Sequence, residues 1–112
     1  MNKEKRKAVL RFLFKEQVNQ QLFGNFVVVN IICAKTSAQE KYEELSSKER
    51  ESIVKKIIIN YLVSTFIQSL AFNFVNGSPQ KRLFRIKEFA FQKYDSLTED
   101  ERILILKKIN NS

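Results

Sequence analysis

The 112-residue chain has no histidine and no tryptophan, and only one cysteine, one proline and two glycines. Without histidine there is no Ser-His-Asp or Cys-His arrangement, no imidazole general base and no imidazole metal ligand. The single cysteine, Cys33, excludes an intramolecular disulfide and a thiolate metal cage, and suits a reducing cytoplasm. It lies in the apolar run from Phe26 to Ala34, where a small buried thiol is expected. So little glycine and proline leaves few places for a sharp turn and favours long helices.

What is present narrows the class further. A composition of 44% hydrophobic and 29% charged residues belongs to a folded protein, and the length suits one domain covering 1–112. The net charge of +8 and pI near 9.8 point to an anionic partner. Arg11 interrupts the apolar stretch near the N-terminus and no small-residue cleavage site follows, so that stretch reads as mature sequence.

Periodicity and punctuation predict an all-α fold, a compact bundle of about five helices over residues 3–23, 26–45, 47–75, 79–94 and 98–109. Leu10, Phe14, Val18 and Leu22 repeat at helical spacing, and Gly24-Asn25 supplies a stop. The valines at 27–29 favour a strand, yet no second run could pair with one, so the segment is assigned to a helix. Ser46 with Glu49, and Thr98 with Glu101, form capping boxes. Pro79 suits a first helical position after Gly77-Ser78. From Ile57 to Gln80 there is no charged residue, so this part of a central helix is expected to be buried, in an interface or membrane-inserted. Asn60, Ser64 and Gln68, with Thr65, Ser69 and Asn73, would form its one polar seam.

One pattern occurs twice. The stretch from Lys41 through Leu45, Glu49 and Arg50 to Ile57 returns 52 residues later, from Lys93 through Leu97, Glu101 and Arg102 to Ile109, with nine of 17 positions identical. Capping explains the hydroxyl and the glutamate but not the shared Lys-Tyr before the turn or the Lys-Lys-Ile after it. A duplicated helical hairpin is expected.

Candidate chemistry is sparse. Glu40, Glu43 and Glu44 share a helix face but lack the histidines of bundle di-metal sites, so no metal, no cofactor and no catalytic residue are expected. The helices after the two capped junctions open with acidic residues, which a DNA groove would repel, so base reading by a helix-turn-helix is set aside. Two features remain. Basic residues cluster at Lys5, Arg6, Lys7 and Arg11, flanked by Lys3 and Lys15, and again at Lys81, Arg82, Arg85 and Lys87. Phenylalanines two apart, such as Phe89 and Phe91, cannot both face one core.

The leading expectation is a non-enzymatic cytoplasmic protein-interaction module: an adaptor, an inhibitor or a small complex subunit, with self-association among its modes. Phe84, Arg85, Phe89 and Phe91 are expected at the contact. The alternative is a nucleic-acid-backbone binder using Lys5, Arg6, Lys7, Arg11, Lys81, Arg82 and Arg85. A membrane-associated protein comes last, since its uncharged stretches are studded with Asn, Gln, Ser and Thr.

Overall fold

A computed structural model describes the backbone of residues 2–25, 30–68 and 79–111, with side chains described at 2–20, 30–68 and 80–111. The all-α, five-helix architecture is what the chain adopts: α1 (Lys3–Asn25), α2 (Ile31–Glu44), α3 (Ser47–Gln68), α4 (Pro79–Ser96) and α5 (Glu99–Asn111). No strand occurs among the described residues. α1 runs two residues beyond its predicted end, through Gly24, and α2 begins at Ile31 because Asn30 caps it, accepting from the Cys33 N–H at 3.2 Å. The valines at 27–29 and the polar residues Ser69 and Asn73 lie outside the described residues.

The chain divides into two compact units, 1–54 and 55–112, and the division falls inside α3. In the first unit, α1 packs on α2. Ala8, Val9 and Leu13 of α1, Ala34, Ala38 and Tyr42 of α2, and Val54 of α3 are its buried apolar residues. In the second unit Ile58, Ile59 and Leu62 of α3, Ile86, Ala90 and Tyr94 of α4, then Leu97, and Leu106 of α5 are buried. The i, i+4, i+8 rows 34-38-42 and 86-90-94 are the same row 52 residues apart, each closing on a tyrosine.

The hairpin expected to repeat is a unit of three helical segments, and each junction is built the same way. The Ser46 N–H donates to Glu49 Oε1 at 3.1 Å while the Glu49 N–H donates to Ser46 Oγ at 3.2 Å. Thr98 and Glu101 reproduce this at 3.0 and 3.2 Å. One residue further on, Arg50 donates from Nη2 to the Tyr42 carbonyl at 3.0 Å, and Arg102 donates to the Tyr94 carbonyl at 3.1 Å. These carbonyls end α2 and α4, where a helix leaves its last acceptors without intrahelical donors. Each guanidinium also lies on the tyrosine ring, 4.1 Å and 4.2 Å from the centroid. A second cation reaches each ring from the first segment of the unit, Arg6 at 5.5 Å and Lys55 at 5.4 Å.

That second cation sets the register of the repeat. Arg6, Val9 and Leu13 correspond to Lys55, Ile58 and Leu62, which lie 49 residues later rather than 52. The second unit is therefore three residues longer between its first and second segments. Matching contacts at both tyrosines explain the shared tyrosine and the shared arginine, which capping alone does not.

Candidate functional site

α4 is the most unusual surface of the described chain. Its buried row of Ile86, Ala90 and Tyr94 leaves Phe84 63% exposed, Phe89 52% and Phe91 47%, with Arg85 exposed among them. At 100° per residue, Phe84 and Phe91 (i, i+7) fall on one flank of the buried row. Arg85 and Phe89 (i, i+4) fall on the other. The four residues expected at the contact are thus all on the surface and form two strips. Lys55 Nζ sits 5.7 Å from the Phe91 ring centroid, so the first strip carries a cation beside its aromatic edge.

The basic clusters are divided by their partners. Lys5 turns inward, its side chain 12% exposed, and pairs with Glu51 at 3.1 Å. Arg6 covers Tyr42. Lys7 and Arg11 belong to an exposed i, i+4 row that begins at Lys3 and ends at Lys15, turned away from Val9 and Leu13. On α4, Lys81 and Arg85 are exposed, whereas Arg82 is half-buried and its Nε makes no hydrogen bond among the described residues. Periodicity alone would have found the row at 3, 7, 11 and 15; grouping the cations by sequence proximity obscured it.

Two expectations change. Cys33 is exposed, not buried. It precedes Ala34, the first residue of the buried row, and one position rotates a side chain by 100°. Ile31 and Ile32 are exposed with it, at 57% and 77%. The described part of α3 is not buried all round: Asn60, Ser64, Thr65 and Gln68 are exposed, and only Ile58, Ile59 and Leu62 are buried after Lys55. The described members of the polar seam form a solvent-facing stripe. In the first unit a shallow, open cavity of about 320 Å³ lies between α1 and α2, lined by Leu10, Arg11, Phe14, Lys35, Ala38 and Gln39, and nothing in the sequence singled it out.

The chain matches no protein-family model, no curated protein and no solved structure.

Glu40, Glu43 and Glu44 are exposed on α2, and no three potential metal ligands converge among the described residues. Glu49 and Glu101 have their carboxyls held below the ordinary value of 4.5, first by the N–H groups of Ser46 and Thr98 and then by the hydroxyls of those residues. Both are capping carboxylates. No described helix is long and apolar enough to cross a membrane.

Proposed function

We propose that the chain is a non-catalytic protein-interaction module whose α4 faces engage a protein partner. The observation that carries this reading is the exposure of Phe84, Phe89 and Phe91 on a single helix, interleaved with Arg85. Aromatic side chains and arginine are enriched at protein interfaces, the rings because they bring large area for few torsions and arginine because its planar guanidinium presents five donors. The lack of histidine in the whole sequence supports a non-enzymatic role. An exposed thiol at Cys33 suits a reducing compartment, the cytoplasm.

A second reading, binding to a nucleic-acid backbone, is favoured by the outward row of Lys3, Lys7, Arg11 and Lys15. The two separate in one experiment. The tagged full chain is used to capture partners from native lysate with and without nuclease, and the bound fraction is titrated with salt. The first reading expects a protein that survives nuclease and is lost with Arg85→Glu or Phe89→Ala. Loss of all bound protein with nuclease, together with a steep salt slope, would replace it with the second.

A further inference from the structure

The cavity between α1 and α2 has an apolar floor, Leu10, Phe14 and Ala38, and a cationic rim, Arg11 and Lys35, both exposed. No carboxylate lines it. α2 extends this surface along one flank. Ile31 and Lys35 are i, i+4, and Ile32 and Gln39 are i, i+7, so at 100° per residue all four lie on the side that lines the cavity. α1 extends the charge, because Lys7 and Lys15 lie one turn before and one turn after Arg11.

The second unit carries the same flank. Leu83, Phe84, Lys87 and Phe91 stand 52 residues after Ile31, Ile32, Lys35 and Gln39, and all four are exposed. An apolar pair followed by a lysine therefore stays at the surface in both units, in a molecule that buries the matching rows 34-38-42 and 86-90-94. Solubility gives no reason to expose isoleucine or phenylalanine at equivalent places twice.

We infer that this flank is a duplicated docking surface, and that its copy in the first unit receives an acidic amphipathic helix of a protein partner. The inference rests on the reading of the chain as a protein-binding module and adds the chemistry of one partner segment. At about 320 Å³ and open, the cavity is at the bottom of the roughly 300–1,000 Å³ range of small-ligand pockets. A shallow trough between two helices suits apolar anchors at i, i+4 and i+7 of a third helix. Arg11 and Lys35 at its rim, with Lys7 and Lys15 beyond, complement carboxylates flanking those anchors and disfavour basic segments. In the second unit Phe91 replaces Gln39, so that copy is the more apolar of the two.

The test is a selection of short helical peptides, displayed with randomised outer positions, against the full chain. The enriched peptides should carry Asp or Glu beside an i, i+4, i+7 apolar row. Arg11→Glu with Lys35→Glu should weaken the most enriched peptide about tenfold or more, while Lys107→Glu leaves its affinity unchanged. Lys35→Glu alone provides the same comparison should the double variant lose helicity. Absence of enrichment, enrichment without acidic bias, or indifference to both charge reversals would overturn the assignment. Dependence of partner capture on Arg85 and Phe89 is read separately, so the wider proposal can stand while this one falls.

Discussion

At the scale of single residues, the two tyrosines organise the molecule. Tyr42 and Tyr94 are each buried, each lies between two cations, and each offers its carbonyl to an arginine one turn into the next helix. The ring contact and the charged hydrogen bond together contribute on the order of 2 kcal/mol. Arg50→Ala and Arg102→Ala should each destabilise by about that amount in urea unfolding, and by similar amounts, since the geometry is the same. Lysine at either position keeps the charge but loses the flat stack and should recover only part of the loss. The capping carboxylates make a different prediction. Because Glu49 and Glu101 titrate below 4.5 when folded, their contribution is complete above the unfolded value and is lost as pH falls through the lower folded one. Glu49→Gln and Glu101→Gln should lower the melting temperature at neutral pH and flatten its decline in acid, which thermal unfolding across that range would measure.

At the scale of helices, capping and punctuation made three of the five starts legible. Ser46, Asn76-Gly77-Ser78-Pro79 and Thr98 mark their junctions because a helix end needs particular donors, acceptors and backbone angles, all of them local properties. Burial was less legible, because it depends on what faces each side. Ile32 and Cys33 sit in a strongly apolar run yet point away from the row of Ala34, Ala38 and Tyr42, and Ile31, on the same side as that row, is exposed as the first residue of its helix. The uncharged part of α3 has a wet stripe, since uncharged polar residues need no burial to remain soluble. Lys5 and Arg6 looked like surface charges until Glu51 and Tyr42 arrived from distant sequence. α4 offers a direct comparison between packing and surface. Ile86→Ala should cost roughly 2–5 kcal/mol of stability, whereas Phe84→Ala and Phe89→Ala should each change it by less than about 0.5 kcal/mol. Large losses from the phenylalanine variants in denaturant melts would mean that their rings support the fold rather than await a partner.

For the whole molecule, the repeat visible in the sequence is a repeat of physical parts: a buried row ending in tyrosine, a capped turn, an arginine folded back and a cation from the first segment. Identical residues exposed the junction, but the three-residue offset of the first segment hid its share of the pattern until Arg6 and Lys55 were seen on equivalent rings. The net charge of +8 acts at this scale as well, drawing acidic partners and repelling basic ones, so association with a protein partner should slow as salt rises. Exposed aromatic and basic helix faces are proposed to bind a protein. The most direct test is nuclease-treated capture by the intact chain beside the doubly substituted Arg85→Glu, Phe89→Ala chain, with matching melts for both. One nuclease-resistant protein should be retained by the first and lost from the second at unchanged stability. Equal capture by both, or capture that disappears with nuclease, would contradict it.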